Sequence, residues 1–425
     1  MGMLTDGLES GRSGAEMRRV AVTGIGMVSP LGQDPGEVLK RLRSGKNAVR
    51  VLPELSEYRN MTCVLGAPVT QELPHYPRKK TRSMGRIGIM AVAASEKALS
   101  DAGLLDSPEL TDGTAGVSAG SSAGTMSGLR DVAAFISEKD TVNLNATTYV
   151  QIMPHTCAVN ISLFFGITGR IIAASTACTS GSQALGYAYE AIKCGAQDIM
   201  LAGGAEELNP LTVGVFDALF ATSSTRDPER APRPFDVSRD GIVAGEGAGM
   251  LVLEEYEHAR RRGARIYAEL CGFATNADAT HVTSPSSPGM EKCMRLALKN
   301  AGLSPADIGY VNAHGTGTEQ GDLAEGSATF RVFGSHIPVA TLKSYMGHTL
   351  GAAGALEAAM TILMQREGWF APNLNLSNPD PAIGDLCYIR GSGLDLRTEY
   401  VMSNNFAFGG VNTSLIFRNP EGAGS

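Results

Sequence analysis

Along most of the chain, short apolar β-prone runs alternate with longer stretches whose apolar positions recur at helical spacing. Residues 18–32, "RRVAVTGIGMVSPLG", read as a short strand closing in a glycine turn. Residues 87–103, "IGIMAVAASEKALSDAG", keep helical spacing up to a glycine stop, and residues 250–253 read as a buried strand with a helix after it. The stretch 169–192, "GRIIAASTACTSGSQALGYAYEAI", organises the rest. Its apolar start at 170–174 predicts a buried strand, and alanine, leucine and tyrosine from Ser182 onward predict the helix it feeds. Alternation of this kind predicts an α/β fold.

The pattern also repeats. "ALSDAGL" at 98–104 returns as "ALKNAGL" at 297–303, and "VSAGSSAG" from Val117 returns as "VNAHGTGT" from Val311. "ACTSGSQAL" from Ala177 corresponds to "GHTLGAAGAL" from Gly347, each after a β-prone run and each opening a helix. A period of roughly half the chain is too long for a solenoid and predicts two duplicated halves. We place these at 18–255 and 256–425, after a glycine-rich, polar leader at 1–17 that predicts disorder. If the halves pack about a pseudo-two-fold axis, Cys178 and His348 sit at equivalent helix N-termini and converge on one cleft.

Composition narrows the function classes. With 43% hydrophobic and 19% charged residues the chain is globular, and a net charge of -7 without a polybasic tail argues against nucleic acid as a partner. The basic run "PRKKTRSMGR" is the exception; Arg78, Lys79, Lys80, Arg82 and Arg86 form either a solvated face or a dock for an acidic carrier protein. Arg260 to Arg262 read as the solvated end of a helix. Seven cysteines without a Cys-x-x-Cys pair exclude a disulfide framework or zinc ribbon and place the protein in a reducing cytoplasm. No apolar run is long enough to span a bilayer. The Gly24-x-Gly26 pair lacks the third glycine of a dinucleotide fingerprint, and no Gly-Lys-Ser/Thr follows the glycines at 245, 247 and 249.

The candidate chemistry starts at Cys178, on the strand-to-helix junction. Unpaired amide N–H groups and the helix dipole would face its sulfur and favour a thiolate able to attack an acyl carbon. The alternative is a buried cysteine acting as a small hydrophobe. Three further glycine-rich turns lie at 312–322 ("NAHGTGTEQGD"), 341–357 ("TLKSYMGHTLGAAGALE") and 403–412 ("SNNFAFGGVN"). Two carry a histidine, His314 and His348, and neither has metal-site spacing.

With "TACTSG", "AHGTGT", "KSYMGH" and "FAFGG" in this order, the chain resembles the β-ketoacyl-acyl carrier protein synthases, the decarboxylating condensing enzymes of the thiolase superfamily. The resemblance covers about residues 18–417 and implies the five-layered αβαβα thiolase fold, usually as a homodimer. A Cys-His-His set resembles the elongating synthases. It implies that Cys178 is the acyl-accepting nucleophile and that His314 and His348 hydrogen-bond the thioester carbonyl of malonyl-carrier protein. Lys343 matches the motif lysine, with Glu325 as its expected carboxylate partner. Backbone N–H groups of Cys178 and Phe408 would form the oxyanion hole, with Phe408 also the gate between acyl pocket and malonyl site. Thr283, Thr316 and Thr318 match positions that touch the phosphopantetheine arm, and Phe406 and Phe408 would contact substrate. Asn312, Glu357, Ser403 and Asn404 match a monovalent-cation site. The implied partner is acyl carrier protein in its acyl and malonyl forms; no cofactor is implied, because phosphopantetheine arrives on the carrier.

The chain departs from the fatty-acid pattern at Glu319, Gln320, Asn405 and Ala407. With "SLFFGITG" and "EGWFAPNLNL", these departures resemble synthases of bacterial aryl-polyene and related polyketide-like pathways, which can pair with a chain-length partner. Fatty-acid elongation leads this reading. A cysteine acyl-hydrolase lacks an evident orienter for its base, and a non-catalytic chain-length factor would lack the nucleophile.

Overall fold

In the computed structural model, which describes residues 17–142 and 144–422, the apolar runs assemble into one eleven-stranded sheet. The leader expected at 1–17 lies outside the described residues, Met17 apart. Leaving aside the short edge segment Cys387–Tyr388, the strands form two sets. The first holds β1 (Val20–Val28), β2 (Ala115–Gly120), β3 (Ile171–Ala174), β4 (Ile199–Glu206) and β5 (Gly247–Glu255). The second holds β6 (Ala268–Ala277), β7 (Ile308–Asn312), β8 (Pro338–Ala340), β9 (Tyr400–Ala407) and β10 (Val411–Arg418). Outward from the middle, the first set runs β1-β5-β4-β2-β3 and the second β6-β10-β9-β7-β8. In both, the two inner pairings are antiparallel and the two outer ones parallel. The sets meet where Ala21 and Val22 pair with Glu269 and Ala268. Strand for strand, the second set repeats the topology of the first.

Six of the helices among the described residues complete the layers: α1 (Arg86–Asp101), α2 (Thr156–Phe165), α3 (Ser180–Lys193), α4 (Ser287–Ala301), α5 (Glu319–Phe333) and α6 (Ala353–Glu367). The first two cover the outer face of the first strand set, α4 and α5 that of the second, and α3 and α6 lie between the sets. This is the five-layered αβαβα arrangement of the thiolase fold. A helix between two sheets has no solvent face, and every residue of α6 from Ala353 to Gln365 is buried. The repeated "ALSDAGL" and "ALKNAGL" segments close α1 and α4, where Gly103 and Gly302 take left-handed φ of +68° and +71°. Gly24 and Gly26 serve packing: a Cβ there would lie 2.2 and 1.9 Å from the carbonyls of Ala98 and Ala94 in α1.

Two readings need correction. The strand expected to be buried at 170–174 is β3, an edge strand exposed at Ile171 and Ala173 because it has a neighbour on one side only. Arg262 is not solvated; its guanidinium turns inward and donates twice at 2.7 Å to Glu254, which is fully buried and must be neutralised.

Candidate active site

The two central helices start side by side. A Cβ on Gly181 in α3 would stand 2.9 Å from the carbonyl of Gly351, one turn ahead of α6, so only hydrogen lets the two turns approach this closely. Cys178 lies between β3 and α3, just after Ala177, which is held at φ +52°. That costly conformation for a non-glycine residue is pinned by Ser180, whose N–H and Oγ–H both donate to the Ala177 carbonyl, at 3.1 and 2.7 Å. His348 stands in the equivalent turn before α6, with its Nε2 3.0 Å from Cys178 Sγ. Its Nδ1 accepts the Leu350 N–H at 3.2 Å, so Nε2 carries the proton and faces the sulfur.

His314 follows β7. Its ring meets that of His348 edge to face, centroids 5.1 Å apart, and the cysteine sulfur and one ring nitrogen from each histidine all lie within 4.8 Å of one another. Burial, reinforced by the Lys343 ammonium, holds both imidazoles well below their ordinary pKa, so both are neutral at pH 7. Burial also pushes the Cys178 thiol up to about 12, against the pull of Lys343 and with a further push from Glu206. Desolvation of a residue only 6% exposed therefore works against the thiolate expected from the helix dipole.

The carboxylates are arranged differently from expectation. Lys343 Nζ pairs with Glu357 Oε1 at 2.5 Å, not with Glu325. Glu325 instead accepts the backbone N–H groups of His314 and Gly315 at 2.7 and 2.6 Å, fixing the turn that carries His314. Glu206 does the same on the other side, accepting N–H groups from Ser122 and Gly351 at 2.7 and 3.1 Å. Glu357 also accepts the Asn405 amide at 2.7 Å, so both its oxygens are engaged. Of the expected cation set, Asn312 donates to Ser403, and the Asn312 and Asn404 amide oxygens are buried without a partner, which suits a cation; the carboxylate of the set is committed to Lys343.

A cavity of about 370 Å³ opens onto Cys178, His314 and His348. Thr283, Thr316, Thr318, Phe406 and Phe408 line it, as do the departing residues Glu319, Gln320 and Ala407. Phe408 packs on Phe216 with centroids 5.5 Å apart, and Gly409 and Gly410 after it have φ of +84° and +70°. Phe406 faces the His314 ring edge to face.

In the basic run, Arg78, Lys79 and Lys80 form an exposed single-turn helix, Arg78–Thr81, and Arg82 follows it. Lys80 caps the Phe164 ring at 4.6 Å. Arg86 is set apart, since its guanidinium donates at 2.8 and 2.6 Å to the buried Glu246. The sequence reading did not assign roles to Glu206 or Asn405, and it set Glu357 in the cation site. No local spacing marks these residues, because their partners come from other elements.

Comparison with known proteins agrees with this geometry. Residues 17–259 match the family described as "Beta-ketoacyl synthase, N-terminal domain" and residues 267–377 its C-terminal domain. The chain is 39% identical to 3-oxoacyl-[acyl-carrier-protein] synthase 2 of Vibrio cholerae serotype O1, over 94% of this chain and 99% of that protein. It superposes on the crystal structure of a β-ketoacyl synthase from Burkholderia phymatum STM815 with TM-score 0.94 and 52% identity, over 95% of this chain and 100% of the other. The ishigamide ketosynthase/chain length factor aligns with TM-score 0.86 and 31% identity, over 95% and 99% of the two chains.

Proposed function

Since this chain belongs to the β-ketoacyl synthase family and is a condensing acyltransferase, we propose that it elongates fatty acyl chains as a 3-oxoacyl-acyl carrier protein synthase. The observation that carries this reading is the convergence of a thiol and two neutral imidazoles at the end of one cavity.

In the first half-reaction Cys178 Sγ attacks the thioester carbon of an acyl-carrier. The sulfur–carbon bond to Cys178 forms, the bond to the carrier sulfur breaks, and the cysteine proton leaves with the carrier thiol. The His348 Nε2–H, 3.0 Å away, stabilises charge on Sγ as that proton departs. In the second, malonyl-carrier protein places its thioester oxygen between the two imidazoles. Loss of carbon dioxide leaves the electron pair of the broken bond on an enolate, whose oxygen accepts hydrogen bonds from both histidines. The enolate carbon attacks the acyl-cysteine, the tetrahedral oxygen is held by the N–H groups of Cys178 and Phe408, and the Cys178 thiolate leaves and regains a proton. Neutral donors suit this work, since an imidazolium could surrender its proton and quench the carbanion. Phe408 gates the acyl pocket, and the threonines at 283, 316 and 318 guide the phosphopantetheine arm.

The partner in this reading is acyl carrier protein, docked on Arg78, Lys79, Lys80 and Arg82. A homodimer is supported by the exposed edge strand β3, where Ile171 is 45% exposed, and by further exposed apolar side chains, Ile136, Tyr149 and Leu163 each being more than 60% exposed. All seven cysteines are free, which supports a reducing cytoplasm, and no helix among the described residues is long and apolar enough to cross a membrane.

A second reading, a ketosynthase of an aryl-polyene or related polyketide pathway with a chain-length partner, is favoured by Glu319, Gln320 and Ala407 lining the cavity. One experiment separates the readings. The protein is incubated with saturated and with polyunsaturated or aryl acyl-carriers, weighed intact, and then given malonyl-carrier, with Cys178→Ala in parallel. An adduct on Cys178 from saturated primers, discharged as a 3-oxoacyl product, supports fatty-acid elongation. Exclusive use of unsaturated primers favours the second reading, and release by water alone favours hydrolysis.

A further inference from the structure

The two histidines owe their orientation to different devices. His348 is fixed by a backbone N–H, that of Leu350. His314 Nδ1 faces a side chain, the Asn405 amide nitrogen in β9 at 3.5 Å. Which way that amide points is settled by Glu357, whose Oε2 lies 2.7 Å from the same nitrogen and accepts from it; the carboxylate is in turn held by Lys343. Asn405 is fully buried, and its oxygen has no partner. A buried amide oxygen left unpaired keeps its full desolvation cost. The fold makes further room for it: a Cβ on Gly354, inside the all-buried helix α6, would stand 2.7 Å from that oxygen.

We propose that Asn405 is a positioning residue that sets the tautomer of His314, presenting an N–H donor to Nδ1 so that the ring proton sits on Nε2. This rests on the condensing reading for its consequence, since only Nε2–H can then donate to the enolate oxygen. Lys343, Glu357 and Asn405 form a chain of donors and acceptors ending at His314. The long 3.5 Å contact has room to tighten when substrate fills the cavity.

The test uses full-length protein labelled with ¹⁵N-histidine, as wild type, N405L, N405D and N405S. Leucine has similar volume and no donor, aspartate offers an acceptor, and serine can still donate. Ring ¹⁵N shifts, assigned by His314→Ala, are expected to show Nε2-protonated His314 in wild type and N405S. Nδ1-protonated His314 is expected in N405D, and a mixture in N405L. Malonyl-carrier decarboxylation is expected to fall about 10²-fold in N405L and N405D, the scale of one lost oriented donor, while acyl transfer to Cys178 persists. Should N405L fail to fold, N405D and N405S decide. An unchanged tautomer in N405D overturns the proposal, as does acylation falling in step with decarboxylation, the mark of a merely structural role. A wild type that neither acylates nor decarboxylates defeats the condensing reading instead, and the tautomer measurement still judges Asn405.

Discussion

Lys343 and Glu357 form an ion pair with no access to solvent, Nζ to Oε1 at 2.5 Å, directly behind the two histidines. Each charge compensates the other in a medium that would not tolerate either alone. Truncating one partner should therefore be costly: Lys343→Ala is expected to lose about 3–5 kcal/mol of unfolding free energy, read from urea midpoints. Replacing both by Met and Leu should recover most of that stability and none of the activity. If Lys343→Ala were neutral for folding, the pair would not be structural.

The state of Cys178 leads to a prediction in pH. Because burial pushes the thiol up to about 12, its alkylation by iodoacetamide should rise about tenfold per pH unit between pH 7 and 10, with no plateau. A plateau near neutrality, followed by mass spectrometry against Cys178→Ala, would show a preformed thiolate. Decarboxylation should show no acid limb near pH 6.5, because both histidines stay neutral well below that value.

Charge reversal separates docking from structure in the basic run. Lys79→Glu with Lys80→Glu should raise KM for acyl-carrier protein, most at low salt, with Tm unchanged. Arg86→Ala should lower Tm instead, because it strips the partner from Glu246, whose side chain is 3% exposed. A KM that ignores the double reversal would remove the dock from this face.

His258 bridges Glu254 and Glu109 at 2.6 and 2.8 Å. Burial works against its charged form, but the two carboxylates prevail and raise its pKa above 6.5. A histidine raised on folding binds its proton more tightly in the native state, so its contribution is complete below about pH 6.5 and fades as pH climbs through the folded value. His258→Gln should thus lower Tm at pH 6 more than at pH 9. Equal losses at both values would mean that the ring acts by packing alone.

Cys178, His314 and His348 were legible from sequence because each sits in a glycine-rich turn at a fixed place in a repeat. The same repeat foretold that two helix N-termini would meet, and Nε2 of His348 does lie 3.0 Å from Cys178 Sγ. Strand and helix periodicity, and the glycines that close α1 and α4, are local properties, so local sequence carries them. That information yielded the α/β alternation and the duplication.

Partner choice and protonation were decided elsewhere. Glu325 was the expected mate for Lys343 and Glu357 a cation ligand, and only the burial of α6 between the strand sets put Glu357 against the lysine. Arg262 and Arg86 read as surface charge until the fold set Glu254 and Glu246 beside them. The dipole of α3 is written in local sequence and argues for a thiolate; the burial that opposes it arises only in the folded chain, where Lys343, Glu206 and Glu357 also act on the thiol. Sequence therefore determined which groups gather at the site, through motifs that specify turns. Tertiary structure decided their charge and hydrogen-bond direction, because those depend on which distant side chains and how little water surround each group.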